Sequence, residues 1–162
     1  ELVKLKNGES VDKRISDSLQ KMFESARKQG IYPVVVSGYR NVEAQKDIMS
    51  KKVAQYQQQG YKLDDAKTKA SMEVALPRTS EHESGLAVDI NSDGIHTDGK
   101  QVYNWLNQNS YKFGFIHRYP ENKTKITGVI NEPWHYRYVG IEAATEIYNR
   151  NICLEEYLDA VN

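Results

Sequence analysis

The chain has 162 residues, with 39% hydrophobic and 27% charged side chains, which fits one globular domain with a single hydrophobic core. Its 22 basic and 22 acidic side chains balance, so electrostatics gives no reason to expect binding to nucleic acid or to a membrane surface. No segment approaches the roughly eighteen apolar residues of a membrane span, and the single cysteine excludes an internal disulfide or a multi-cysteine metal site.

The N-terminal half of the chain predicts a helix, a strand and two further helices. Apolar side chains recur at steps of three and four residues between residues 11 and 30, which is typical of an amphipathic helix. Residues 33–38 contain three consecutive valines before Ser-Gly and predict a short buried strand. Residues 42–58 and 63–75 are rich in Lys, Gln, Ala and Asp, and we expect two polar helices that form a solvent-exposed excursion.

The C-terminal half alternates short strands with helices. Residues 86–91 alternate between apolar and polar positions, so Asp89 points away from the apolar face of its strand. Further along, the pattern predicts a turn-rich segment, a helix, two strands and two closing helices at residues 92–100, 102–106, 113–119, 134–139, 141–150 and 154–160. This irregular order predicts an α+β fold, mainly an antiparallel sheet flanked by helices. We expect residues 1–162 to form one domain, with Cys153 as a packed thiol near a helix start.

Two histidines and an aspartate form a candidate zinc-ligand set. Hydrolytic zinc sites use three protein ligands drawn from His and carboxylates and keep a further position open. His82, Asp89 and His135 supply that set, and Asp89 and His135 can share one face of one sheet. Glu132 precedes His135 by three residues, and Pro133 disfavours a helix there, so an extended turn can hold Glu132 beside the metal as a base. Each residue taken alone is equally compatible with a structural role.

The segment Asp89 to Lys100 begins like a calcium-binding EF-hand loop. It has Asp, Asn and Asp at positions one, three and five and Gly at position six. Position twelve is Lys100, where such a loop needs a bidentate glutamate. We therefore interpret this segment as a turn without calcium.

Four separated segments resemble one enzyme family. They are Ser37–Arg40 (SGYR), Ser80–Asp89 (SEHESGLAVD), Phe113–Pro120 (FGFIHRYP) and Glu132–Gly140 (EPWHYRYVG). The chain resembles the VanY-type D-alanyl-D-alanine carboxypeptidases, zinc enzymes of vancomycin-resistance cassettes that share a fold with the VanX and VanXY peptidases and hedgehog domains. The resemblance implies a hedgehog/D,D-peptidase-like fold and one Zn²⁺ per chain, held by His82, Asp89 and His135, with Glu132 as catalytic base.

The same resemblance gives roles to three more residues. It implies that Arg40 contacts the substrate carbonyl and helps to hold the developing oxyanion, a task that suits a permanently charged guanidinium. Gln45 and Ser80 match substrate-binding positions of the family. His96 and His117 match no ligand position, and we expect them on the surface or behind a ligand.

The implied activity is removal of the terminal D-Ala from peptidoglycan stem pentapeptides that end in D-Ala-D-Ala, which contributes to vancomycin resistance. Two alternatives stay open: an L,D-carboxypeptidase that trims stem tetrapeptides, and a non-catalytic hedgehog-like zinc-bearing binding module. We expect a monomer whose partner is the peptidoglycan precursor and not nucleic acid. The resemblance also implies action at the extracytoplasmic face of the bacterial membrane, with an N-terminal anchor in the native precursor.

Overall fold

The computed structural model describes residues 1–161, which form six β-strands and seven α-helices. The strands are β1 (Leu2–Lys4), β2 (Ser10–Asp12), β3 (Pro33–Ser37), β4 (Ala87–Ser92), β5 (Phe115–His117) and β6 (His135–Tyr138). The helices are α1 (Lys13–Lys28), α2 (Val42–Gln58), α3 (Leu63–Ser71), α4 (Gly99–Asn109), α5 (Thr124–Thr127), α6 (Ile141–Arg150) and α7 (Leu154–Val161). None of the helices in the described part of the chain combines the length and the apolar character needed to cross a bilayer.

A four-stranded antiparallel sheet forms the centre of the molecule. Its strand order is β3-β4-β6-β5, and every neighbouring pair runs antiparallel. In the register of β4 and β6, Asp89 lies directly opposite His135. Because directly opposed residues of antiparallel strands have Cβ atoms about 5 Å apart, the register by itself brings these two side chains together.

The main core lies between this sheet and helices α1 and α4. Helix α1 begins where the Asp12 carboxylate accepts a hydrogen bond from the Arg14 amide at 2.9 Å, and its apolar stripe faces the sheet. The buried core residues are Val11, Ile15, Leu19, Met22, Ala26, Val35, Val88, Ile90, Val102, Trp105, Leu106, Phe115 and Tyr136. Val88 and Ile90 are on the core side of β4, so the alternation predicted for this strand and the predicted α+β class are both confirmed.

Several predicted elements differ from the observed ones. The hairpin of β1 and β2 was not predicted, because two three-residue strands are too short for a clear alternation. Helix α3 ends at Ser71 and β5 spans three residues, both shorter than expected. The prediction of a solvent-exposed excursion for residues 42–75 is wrong in part. Gln45, Ala66 and Ala70 are buried there, because α2 and α3 pack against each other.

Candidate metal centre and active site

His82, Asp89 and His135 converge at one point, although the three positions span more than fifty residues of sequence. His82 belongs to a 3-10 turn (Glu81–Ser84), Asp89 to β4 and His135 to the start of β6. Asp89 Oδ1 lies 3.3 Å from His82 Nε2 and 3.2 Å from His135 Nδ1. One ligand atom from each residue lies within 4.8 Å of the other two. The cluster that the sequence predicted is therefore assembled in the fold.

The spacing and chemistry of this cluster fit a zinc ion. Ligand bonds of about 2.0 Å in a tetrahedral site place neighbouring ligand atoms about 3.3 Å apart, close to the observed separations. His82 Nε2 and Asp89 Oδ1 are buried and lack a hydrogen-bond partner among the residues that the structure describes. Buried polar atoms without partners are costly, and a bound cation would satisfy both.

The outer nitrogen of each imidazole is held by a second group. His82 Nδ1 lies 2.7 Å from the Gly38 carbonyl oxygen, and His135 Nε2 lies 3.3 Å from Glu81 Oε2. Such contacts fix the ring orientation and the tautomer of a metal-binding histidine. Gly38 can approach closely because it lacks a side chain: a Cβ at this position would lie 2.2 Å from the Ser10 carbonyl oxygen. This close approach gives a physical reason for glycine in the Ser-Gly-Tyr-Arg segment.

The charges of the cluster are strongly coupled. Burial opposes ionisation of Asp89, yet the two neighbouring imidazoles hold its pKa below the ordinary value. Burial also opposes charge on His135, but Asp89 and Glu81 outweigh it and raise its pKa to about 9. For His82 burial prevails and lowers the pKa. The site therefore concentrates negative charge from two carboxylates around its imidazoles, which favours a cation.

Glu132 stands beside the cluster without belonging to it. Its Oε2 lies 3.5 Å from His135 Nδ1, and only 7% of the residue is exposed. A β-turn with Pro133 at its second position holds it there, closed by a 3.1 Å hydrogen bond from the His135 amide to the Glu132 carbonyl oxygen. Burial, with a smaller contribution from Asp89, raises the pKa of Glu132 to about 7 despite the opposing effect of His135. A carboxyl group of this pKa is suited to both accept and return a proton near neutral pH.

Arg40, Gln45 and Ser80 line the same cavity as the cluster. Arg40 Nη2 lies 4.0 Å from Asp89 Oδ2, and its Nε has no hydrogen-bond partner within residues 1–161. Gln45 is 1% exposed and donates from Nε2 to the Ala75 carbonyl oxygen at 2.7 Å, while its Oε1 has no partner in the described chain. Arg40 Nε as donor and Gln45 Oε1 as acceptor can bind a polar substrate backbone. Ser80 is buried immediately before the 3-10 turn.

The cavity has a volume of about 260 Å³ and extends past the metal ligands toward α2. At that end Lys52 Nζ pairs with Glu73 Oε2 at 2.7 Å, and the Tyr56 hydroxyl donates to the other oxygen of Glu73. Trp134 is 37% exposed and forms part of the cavity wall. No pattern in the sequence indicated the Lys52–Glu73 pair, because Lys52 on α2 and Glu73 after α3 each lie among many other charged residues. The remaining lining residues are Val74, Ala75, Glu81, Tyr119, Val129 and Ile130.

The other histidines and the cysteine lie outside the ligand cluster. His96 is exposed and pairs with Asp93 at 2.5 Å, and Asp93 also accepts backbone N–H groups of the same turn. The part of the Asp89–Lys100 segment between β4 and α4 is thus a turn capped by Asp93. His117 lies behind the site, where its Nε2 is 3.1 Å from the Glu132 carbonyl oxygen. Cys153 is buried directly before α7, as predicted.

A buried ion-pair network behind His135 was missed by the sequence analysis. Glu81, which holds His135, accepts a 2.7 Å hydrogen bond from Arg118 Nε. Arg118 in turn makes two hydrogen bonds to Glu155 on α7, at 2.7 and 3.0 Å. Burial opposes ionisation of Glu81, but His135 and Arg118 lower its pKa to about 2. The only signal in the sequence is the acidic residue directly before His82, since partners 37 positions apart leave no local pattern.

Comparisons with known proteins show which family this chain resembles. The profile of the VanY family, described as D-alanyl-D-alanine carboxypeptidase, matches residues 8–141. A D-alanyl-D-alanine carboxypeptidase of Enterococcus faecalis (strain ATCC 700802 / V583) is 62% identical over 159 residues, which cover 98% of this chain and 59% of that protein. The chain thus spans about three fifths of the length of this curated relative.

Two solved structures are similar over nearly the whole chain. VanYB in complex with D-alanine-D-alanine superposes with a TM-score of 0.97 at 62% identity, covering 98% of this chain and 88% of that one. A mutant of the vancomycin resistance D,D-pentapeptidase VanY from a VanB-type cassette, in complex with Zn(II), superposes with a TM-score of 0.96 at 62% identity, with 98% and 89% covered. The hedgehog/D,D-peptidase-like fold expected from the sequence is confirmed. The chain belongs to the VanY family of D-alanyl-D-alanine carboxypeptidases.

Proposed function

We propose that residues 1–162 are a single catalytic domain of a zinc-dependent D,D-carboxypeptidase that removes the terminal D-Ala from stem pentapeptides ending in D-Ala-D-Ala. The observation that carries this proposal is the convergence of His82, Asp89 and His135 with a separate buried glutamate, Glu132, on one wall of one cavity. The similar proteins named as D-alanyl-D-alanine carboxypeptidases, and the D-alanine-D-alanine bound by VanYB, support the choice of substrate.

One zinc ion per chain is held by His82 Nε2, Asp89 Oδ1 and His135 Nδ1 in this proposal. The Zn(II) bound by the similar VanY structure supports the identity of the metal. When bound, zinc acidifies water and polarises a carbonyl group as a Lewis acid. Gly38 and Glu81 keep the two imidazoles in the orientation that presents these nitrogens to the ion.

Glu132 is the general base and then the general acid. Its carboxylate takes a proton from the water that attacks the scissile carbonyl carbon, and it returns this proton to the nitrogen of the departing D-Ala as the C–N bond breaks. Its burial supports this role, because bulk water does not compete for the proton. Arg40 donates hydrogen bonds to the substrate carbonyl oxygen as negative charge develops there. Gln45 and Ser80 bind the peptide beside it.

The biological setting is part of the same proposal. The substrate is a peptidoglycan stem peptide, and the resemblance to VanY-type enzymes supports action on the extracytoplasmic side of the bacterial membrane. The resistance cassette from which the similar VanY structure comes supports a contribution to vancomycin resistance. We also propose that an N-terminal anchor attaches the native protein to the membrane and that the domain acts as a monomer.

The experiment that tests this function is D-Ala release from three synthetic substrates: a pentapeptide ending in D-Ala-D-Ala, a tetrapeptide ending in a single D-Ala, and the dipeptide D-Ala-D-Ala. We expect release from the pentapeptide only, its loss after treatment with a chelator, and its recovery on adding Zn²⁺. Faster release from the tetrapeptide would replace the D,D assignment with an L,D activity. Peptide binding without any release would favour a non-catalytic binding module.

A further inference from the structure

We propose that Arg118 is a positioning residue which, clamped by Glu155 of the C-terminal helix α7, holds Glu81 against the zinc ligand His135. Docking of α7 and affinity for zinc are therefore coupled. The inference depends on the proposed function in one respect: zinc is taken as the ion that His82, Asp89 and His135 bind. It assigns a role to Glu81, Arg118 and Glu155, none of which takes part in the proposed reaction.

The contacts form one continuous path from α7 to the ligand cluster. Arg118 Nη2 and Nη1 donate to Glu155 Oε1 and Oε2 at 2.7 and 3.0 Å, a bidentate pair. Arg118 Nε donates to Glu81 Oε1 at 2.7 Å, and the other oxygen of Glu81 lies 3.3 Å from His135 Nε2. Nε, Nη1 and Nη2 of the guanidinium thus each donate to one of two carboxylates. The planar fork of arginine fixes the relative positions of both carboxylates, which a lysine cannot do.

Burial restricts the movement of the side chains that connect Arg118 to His135. Arg118 is 9% exposed, and the side chains of Glu81 and His135 are 13% and 7% exposed, while that of Glu155, at the outer end of the path, is 32% exposed. Removing one member of a buried charged network leaves its partner uncompensated, so the remaining groups must shift or attract water. Glu81 also directly precedes His82 in the same 3-10 turn, so a shift of Glu81 disturbs the placement of two ligands. Arg137 Nη1 approaches Glu81 Oε1 only to 3.5 Å and is a weaker second support.

A second contact anchors α7 without touching the metal cluster, and it provides a matched control. Glu156, the neighbour of Glu155, pairs with Lys123 Nζ at 2.8 Å. This pair also ties the first turn of α7 to the body of the domain. If α7 acted only as a structural brace, neutralising Glu155 or Glu156 would have the same effect on zinc. The proposed path predicts that only Glu155 matters for zinc.

The test measures Zn²⁺ affinity of the full chain by competition with a chromogenic chelator, and the visible spectrum after substitution with Co²⁺. We expect Glu81→Gln to weaken Zn²⁺ binding about 10- to 100-fold, the range usual for groups that orient a metal ligand. Arg118→Gln and Glu155→Gln should weaken it at least threefold and shift the Co²⁺ bands, whereas Glu156→Gln should change it less than twofold. Because Glu155 acts through Glu81, the double variant E81Q/E155Q should bind no more weakly than E81Q alone.

The outcomes separate this inference from the proposed function. Zinc affinity and Co²⁺ spectra that stay at the wild-type values in E155Q and R118Q would overturn the inference and leave the function standing. Equal weakening by E155Q and E156Q would overturn it as well, since general loosening of α7 would then explain the effect. A wild-type chain that binds no zinc would overturn both. Should R118Q fail to fold, E155Q, which keeps the arginine, decides the matter.

Discussion

Replacing Glu132 by glutamine should lower turnover by about 10²- to 10⁴-fold while leaving the metal centre in place. Glutamine has the same shape, and the backbone contacts that hold this position do not use the carboxylate. The Glu132 amide donates to the Tyr119 carbonyl oxygen at 3.0 Å, and its own carbonyl accepts from the His135 amide at 3.1 Å. Glu132 Oε2 lies 3.5 Å from a ligand nitrogen but is no member of the three-residue ligand set. The variant therefore loses proton transfer alone.

The expected loss follows from that single role. A positioned acid or base contributes about 10²- to 10⁴-fold, which corresponds to roughly 2.7 to 5.5 kcal/mol of transition-state stabilisation. The assay is D-Ala release from the pentapeptide at saturating substrate, with zinc content measured on the same sample and E43Q, an exposed glutamate of α2, as control. Turnover above about a hundredth of the wild-type rate would refute the role of Glu132. Loss of zinc with the activity would refute its separation from the ligand set.

Three further substitutions test the site and its support. Arg40→Ala should lower kcat/KM about 10²- to 10³-fold with zinc content unchanged, as for a lost oxyanion donor, and unaltered kinetics would remove Arg40 from the mechanism. Gly38→Ala should lower the melting temperature by about 2 to 12 °C, because the Cβ of the new alanine would lie 2.2 Å from the Ser10 carbonyl oxygen. An unchanged melting temperature would contradict that clash. Ile90→Ala should reduce the free energy of unfolding in urea by about 2 to 5 kcal/mol, against about 0.5 kcal/mol for Val36→Ala on the exposed side of β3, and equal losses would argue against the assigned core.

The strand that carries Asp89 and the first long helix, α1, could be predicted because their signals are local. The alternation around Asp89 and the periodicity of α1 each repeat within a few residues, and both elements formed where the pattern indicated. The β1–β2 hairpin and the shortened α3 could not be predicted. Three-residue strands and polar helix ends carry too little periodicity, and packing of α2 on α3 decides which of their faces is buried.

The sequence by itself indicated which residues could bind zinc and which glutamate could act as a base beside them. Ligand chemistry is a property of the side-chain types, and among four histidines and 22 acidic residues the resemblance of the surrounding segments to one enzyme family singled out Asp89 and Glu132. Only the tertiary structure decided that Asp89 and His135 face each other across β4 and β6, that Glu132 is buried beside them, and that Arg118 links α7 to Glu81. Register, burial and ion pairing between distant segments depend on the packing of the whole chain, and no stretch of sequence encodes them locally.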